Sequence, residues 1–463
     1  MAPHDPSIDQ LSAFVAGLRF EDLPAAVVAR AKVHLLDTLG AALAGTRSAE
    51  AALARAVAAR DAGGSARVWG TPDRASPREA ALVNGVAAHA FELDDCGGCD
   101  HSGAVVVPAL LAALPALPAP AAGRDLIVAL VAGYEVGRRV LEAAGGYDAH
   151  NGRGWHSTGT CGPLAAAAAV ARLRGSDAGT TRNAITLATS LSSGLWAFIH
   201  DGSPAKKLHA GRAAEGGLLA ADLSGAGMPG PSRAFDEVWG GFFRAFNGEA
   251  GQPARLADGL GRDWMIERAS LKPYASCRGA HSAVDAVGDI LAEAGRGAAE
   301  IDTIDVRLSA LLMDMCGGTA VDPLPAAQMS LPYALAALCA FGDAGLAAYA
   351  ADRRRSPEIA AVMDRIRLAV DPGQKPLDPP VVTVLFRDGR RHALRVPRAT
   401  GSRERPMSAA AVAAKFEALA GLALAPAAVA ALAETVEALD AGAAVAGLDG
   451  LLAGTGPALP PFR

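Results

Sequence analysis

From Leu23 to about Leu271 the apolar residues recur at helical spacing, which commits more than half of the chain to a body of packed helices. Val28, Ala31, Leu35, Leu39, Ala42 and Leu43 fall on one face, and Gly45 stands where such a helix stops. Leu126 to Ala144 continues the pattern. Gly162-Pro163 predicts the opening of an Ala-rich helix that closes at Gly175, proline at the start and glycine past the end. Hydrophobic residues make up 51% of the chain and aromatics only 5%, so Ala, Gly and Leu must fill the interior and the helices are expected to approach closely. The loops between them are rich in Gly, His and Asp, where a rigid scaffold can hold a site.

The pattern changes after Pro273. Ile304, Val306 and Leu308 alternate with polar residues and read as a strand, and Ile366 to Val370 reads as a second. Val381–Phe386 and His392–Val396 flank Arg387-Asp388-Gly389-Arg390, a hairpin signal. Helical stretches at about Ser282–Ala294 and Leu331–Ala350 intervene, and helical sequence resumes at Ser408. A chain of 463 residues suggests about two domains. The fold class is mainly α: a large all-helical domain over 1–270, which 405–463 is expected to complete, and a smaller α+β domain over 271–404.

The formal net charge is −5 and there is no basic tract, so no nucleic-acid partner is expected. Arg353-Arg354-Arg355 reads as a solvated helix end. Met1–Gln10 is polar and lacks the charged-then-apolar pattern of a signal peptide, so none is expected. The uncharged run Ala104–Ala122 is broken by Pro108, Pro115, Pro118 and Pro120, which argues against a membrane span. Six cysteines in so long a chain do not make a disulfide framework, and a reduced, cytoplasmic protein is expected.

Four Gly-containing segments gather titratable groups: Glu92–His101, Gly154–Thr158, His200–His209 and Lys272–His281. They hold five of the ten histidines, counting His101, His156, His200, His209 and His281, together with Lys and Arg. That inventory suits removal of a proton next to a carboxylate. The enediolate so formed is a dianion, and it requires a base and fixed positive charge. Imidazole moves protons at neutral pH, whereas Lys and Arg hold carboxylates and the developing oxyanion.

Six stretches, in order along the chain, resemble the MmgE/PrpD family. They are EAALVNGVAAHAFELDDCGGCDHSGAVVVPALLAA, GWHSTGTCGPLAAAAAVARL, AKKLHAGRAAEGGLLAA, LKPYASCRGAHSAVDAV, AQMSLPYALAA and PMSAAAVAAKF. The resemblance implies a helical domain, a smaller α+β lid, a cleft between them holding the site, no metal or other cofactor, and a homodimer. It also implies carbanion chemistry on a small-molecule carboxylate substrate, since the family includes 2-methylcitrate dehydratase, cis-aconitate decarboxylase and iminodisuccinate epimerase. A cofactor-independent hydro-lyase-like enzyme is the leading expectation, with epimerase, isomerase or decarboxylase as the alternative.

By motif position, the resemblance implies that His101, His156, Lys206, Asp95 and Glu92 are catalytic. It assigns substrate binding to Cys96, Arg278, Cys277 and His281. Glu92 stands where the family commonly has Asp, Cys96 where Thr is usual, and Cys277 where some members have His. Bland readings stand beside these: His156 as a histidine satisfied at a helix start, His281 as a core histidine, Glu92 and Asp94-Asp95 as carboxylates that only orient their neighbours. His209 reads as structural, Tyr333 as core, and one of Lys206 and Lys207 as solvent-facing. A rival reading makes Cys96, Cys99 and His101 a thiol or zinc centre, although a second pair at ligand spacing is absent.

Overall fold

The computed structural model describes residues 5–59, 63–248, 251–442 and 445–454. A helical body is built around α1 (Ala25–Gly45), α2 (Pro77–His89), α3 (Ser102–Ala113), α4 (Gly123–Ala143), α5 (Ser157–Leu173) and α6 (Ala205–Gly225). Helix α2 shows a complete local start signal. The Ser76 hydroxyl accepts from Glu79 N, the Glu79 carboxylate accepts from Ser76 N, and Pro77 fills the first helical position. Helix α5 departs from the sequence reading: it begins at Ser157 and runs through Pro163. The proline cannot supply the amide that the Gly159 carbonyl would take within the helix. Ser193 N supplies it from a neighbouring loop at 3.1 Å, so the helix continues.

Small residues let the helices touch backbone to backbone. A Cβ built on Gly211 of α6 would lie 2.4 Å from the Leu82 carbonyl oxygen of α2. One built on Gly217 would lie 2.6 Å from the Pro163 carbonyl oxygen of α5. Helix α6 is thereby clamped between α2 and α5, and its first turn is held against the loop that leaves α2.

The second unit begins with α7 (Arg278–Ala294). Its sheet contains β1 (Ile301–Leu308), β2 (Ile366–Val370), β3 (Val381–Phe386) and β4 (Arg391–Arg395), in the order β2-β1-β3-β4. β1 and β2 are parallel, with Ile304 opposite Ile366; β1–β3 and the β3–β4 hairpin are antiparallel. Helix α8 (Leu331–Phe341) stops earlier than Ala350 because Gly342 turns into the left-handed region, and a short 3-10 turn at Leu346–Tyr349 follows. Arg354 is buried, not solvated: its guanidinium donates to Val321 O and to Asp322. Helices α9 (Ala409–Ala420) and α10 (Pro426–Glu437) then pack on α1.

Two apolar cores result, one in the helical body and one under the sheet. Ala90, Phe91 and Leu93 belong to the second core although they directly follow α2. The loop from Ala90 to His101 therefore lies on the seam. Among the described residues no helix is long and apolar enough to cross a membrane.

Two alanine substitutions in α6 test the clamp. Gly211→Ala forces a methyl into the Leu82 carbonyl and is expected to cost about 1–3 kcal/mol in chemical denaturation. Gly225→Ala, where nothing lies within 4 Å of the added carbon, is expected to be neutral or slightly stabilising. Equal effects at both positions would refute backbone contact at Gly211.

Candidate active site

The seam loop carries two residues that adopt positive φ without being glycine: Glu92 at 54° and Asp100 at 128°. Such backbone costs on the order of 1–3 kcal/mol per residue and persists only where surroundings enforce it. For Glu92 the enforcement is ionic. Its Oε1 accepts from Lys206 Nζ at 2.6 Å and from Lys207 Nζ at 2.5 Å, and its Oε2 accepts from Lys272 Nζ at 2.9 Å. Burial opposes ionisation of Glu92, but the three ammoniums hold its carboxyl well below the usual range. Burial lowers Lys207, whereas the carboxylate outweighs burial at Lys272 and raises it. Lys207 is thus not the solvent-facing member of its pair: both lysines are enclosed, because the first turn of α6 enters the seam.

A cluster of imidazoles lies beside this ionic knot. Asp94 holds two of them, His89 Nδ1 at 3.0 Å and His101 Nδ1 at 3.0 Å. His101 Nδ1 also faces the Asp95 carbonyl at 2.9 Å. Both neighbours are acceptors, so Nδ1 carries the proton and Nε2 is turned toward Asp100 Oδ2, 3.5 Å away. His156 caps α5 and is fully enclosed; its Nε2 lies 3.6 Å from the same oxygen. Burial works against an ionised Asp100, but His101 and His156 hold its carboxyl well below the ordinary range. Burial pushes His89 down to about 3 and His156 well below 6.5.

A cavity of about 730 Å³ opens between the two units. Glu92, Cys96, Asp100, His101 and Lys206 line it from the helical side, and Lys272, Cys277 and Arg278 from the start of the second unit. Arg138, Arg268, Arg398 and Arg403 are also on its walls. Of the residues singled out from sequence, Glu92, His101, Lys206, Cys96, Cys277 and Arg278 therefore share one space. His156 stands one layer behind, reached through Asp100.

Asp95 and His281 are placed elsewhere. Asp95 Oδ1 accepts from Gly103 N at 2.8 Å at the start of α3, and its Oδ2 accepts from the Tyr134 hydroxyl of α4 and lies 2.8 Å from His34 Nδ1 of α1. It ties three helices together and faces away from the cavity. His281 is buried with Nε2 on the Ser276 carbonyl at 3.2 Å, and its Nδ1 lies 3.3 Å from Arg278 Nη1. Arg278 also donates to Thr400 O at 2.8 Å and to Ala399 O at 3.1 Å, drawing that loop onto the cavity rim.

The two thiols of the Cys-Gly-Gly-Cys stretch part company. Cys96 faces the cavity, while Cys99 belongs to the helical core beside Ser102. Burial pushes the Cys96 thiol up to about 12 and raises Cys277 too, so both are neutral at pH 7. Among the described residues, the group near metal-ligand spacing is instead His89, His101 and His156, with ligand atoms within 4.8 Å of one another. That limit is wider than the roughly 3.4 Å between tetrahedral ligands at about 2.1 Å from one ion, and two of the rings are already committed to Asp94.

Sequence reading did not single out Asp100, His89 or Lys272, whereas Asp94 has the orienting role read for it, on His89 and His101. Asp100 adjoins His101 and Lys272 opens the Lys-Pro-Tyr stretch, so adjacency could have found both. Nothing local marks His89, twelve residues before His101, as its neighbour.

The buried neutral imidazoles make stability depend on pH. His89 takes up a proton on unfolding anywhere between its folded value of about 3 and its ordinary 6.5, so stability must fall as pH drops through that window. Between pH 6.5 and 5 the unfolded chain's carboxylates, whose ordinary values lie near 4, stay ionised, and any contribution from Asp37 and Glu135, which burial raises, is common to wild type and variant. The urea midpoint is expected to decline across that interval and to decline less in His89→Phe. An identical slope in the variant would refute the assignment.

Residues 9–253 match the MmgE/PrpD N-terminal domain, and residues 274–441 match the MmgE/PrpD C-terminal domain. The chain is 35% identical over 293 residues to the "Cis-aconitate decarboxylase-like protein oryM" of Aspergillus oryzae, a match spanning 60% of either chain and so less than two thirds of that relative. It is 29% identical over 342 residues to a cis-aconitate decarboxylase of Aspergillus terreus, spanning 70% of this chain and 69% of that one. It is 26% identical over 458 residues to the cis-aconitate decarboxylase of Mus musculus, spanning 93% and 90%. With both domains matched in order over most of its length, the chain belongs to the MmgE/PrpD family.

Proposed function

We propose that this protein is a cofactor-independent lyase that cleaves a small polycarboxylate through a carbanion next to a carboxylate. The observation that carries the reading is the convergence of Lys206, Lys272, Arg278, Asp100 and His101 on one interdomain cavity. Lys206, Lys272 and five arginines line that cavity against the carboxylates of Glu92, Asp100, Asp148 and Glu404, so its wall carries surplus positive charge. A bound carboxylate supplies the missing anion, and charge that develops on it as an enediolate forms meets fixed cations. His101, with one nitrogen tied to Asp94, presents the other toward the reacting carbon as the proton carrier.

Loss of carbon dioxide and loss of water share that carbanion and differ in the group that leaves. The names of the relatives favour decarboxylation. The cavity supports it as well, because Leu312 and Met315 give it an apolar stretch of wall where a departing carboxylate sheds water. Cys96 and Cys277 bring neutral thiols to the same space, so no imidazole stands at 277 to contact substrate.

The test is turnover of cis-aconitate, citrate and 2-methylcitrate in deuterated water, following carbon dioxide, alkene and carbon-bound deuterium. One acid is expected to react. His101→Asn should lower kcat by about 10²–10⁴. Lys206→Met should lower kcat/KM by roughly 10²–10³. A folded wild-type enzyme that neither converts nor labels any of them sinks the proposal.

A further inference from the structure

One file of side chains leaves the reaction cavity and ends at the protein surface. His101 lines the cavity and lies 3.5 Å from Asp100 Oδ2 through Nε2. The same oxygen lies 3.6 Å from His156 Nε2. His156 is fully enclosed and is not a wall of the cavity. On its far side, His156 Nδ1 lies 3.0 Å from His209 Nδ1. His209, on α6, is partly exposed and is likewise not a cavity wall. Trp196 and Phe198 stand edge-on to the His156 ring at 5.4 and 5.9 Å between centroids, fencing the file.

Two facing Nδ1 atoms at 3.0 Å require that one ring donate and the other accept. With His209 donating, His156 carries its proton on Nε2, where Thr158 Oγ1 at 3.3 Å and Asp100 Oδ2 at 3.6 Å are the two acceptors. The first two links then have a donor on the outer side and an acceptor on the inner side, while at the third Asp100 becomes a donor only when it takes the proton from His156.

Carbanion chemistry needs such a path. Decarboxylation leaves an electron pair on carbon that takes a proton from His101, and His101 must regain one before the next turnover. Resting on the reading above, we propose that His209 is the solvent port of a proton conduit, His209–His156–Asp100–His101, which reloads His101 while substrate fills the cavity. A proton bound at His209 Nε2 releases Nδ1–H to His156 Nδ1. The His156 Nε2–H passes to Asp100, and Asp100 passes it to His101 Nε2, which turns from Asp100 to deliver it to carbon. His156 and His209 are left as the Nδ1–H and Nε2–H tautomers and must turn their rings over before the next pass. One proton enters from water and one is delivered to carbon, with no change of oxidation state. The low proton affinity that burial gives His156 suits transit over storage. The 3.5 and 3.6 Å gaps must tighten to about 2.6–3.2 Å when substrate enters. His209 is a positioning and relay residue that never touches substrate.

His209→Gln keeps a hydrogen-bond donor for His156 but cannot relay. It is expected to lower kcat at least roughly tenfold with little change in KM, to enlarge the solvent deuterium effect on kcat, and to regain rate when free imidazole is added. Wild type should not respond to imidazole. Unchanged kcat, or a loss that imidazole does not repair, overturns the conduit. If the variant melts below the assay temperature, wild type with substrate bound is acylated by diethylpyrocarbonate. Turnover must then fall in step with His209 modification read by mass spectrometry, and full turnover with His209 modified overturns the proposal. A wild type that turns over no acid condemns the lyase reading separately. In that case the nitrogen-15 shifts of His156 decide: they must move on His209→Gln, and unmoved shifts show that the two rings share no proton.

Discussion

One buried carboxylate holds the structure together at the point where it matters. Glu92 binds the ammoniums of Lys206, Lys207 and Lys272, which come from the first turn of α6 and from the segment that enters the second unit. Taking an ion out of water costs several kcal/mol, and mutual attraction repays that only when geometry is tight. Here the loop backbone is bent into the left-handed region to present the carboxylate to three partners at once. The same knot that joins the two units sets Lys206 and Lys272 on the cavity wall. Interdomain cohesion and the placement of cations on the cavity wall thus have one physical source.

Around this knot the polar groups sort into those that meet the cavity and those that hold them. Asp94 fixes His101 and His89; Asp95 fixes the start of α3 against Tyr134 and His34; Arg278 fixes the loop at Ala399 and Thr400. Lys415 of α9 adds a bond to the Leu93 carbonyl and to Asp37. The partners of the seam loop come from α1, α2, α3, α4 and α9, so that loop is braced from several sides. A group braced in this way keeps its orientation without reorganising when charge appears nearby, which is what makes fixed dipoles and cations effective.

Much of the architecture was legible because it rests on local periodicity. The helical run, the strands at Ile304–Leu308 and Ile366–Val370, and the hairpin around Asp388-Gly389 follow from spacing and turn chemistry. The α5 boundary was misread because a proline's missing amide looks terminal in sequence. Only the loop carrying Ser193 shows that the orphaned carbonyl is satisfied. The early stop of α8 has a local signal, Gly342, which alone among its neighbours enters the left-handed region without strain.

For the site, the chain by itself determined the inventory: imidazoles, carboxylates and cations concentrated in Gly-rich loops between helices, in an order that resembles one family. It could not say that both adjacent lysines are buried, which of two adjacent aspartates holds His101, or that His89 and His209 join the cluster from opposite ends. Those outcomes depend on how α6 is rotated against α2 and on two left-handed residues in one loop. Helix rotation is set by backbone contact between glycines far apart in sequence, and the loop's handedness by charges that meet only in the folded seam. Local sequence fixes which groups are available; three-dimensional packing alone decides which of them face one another.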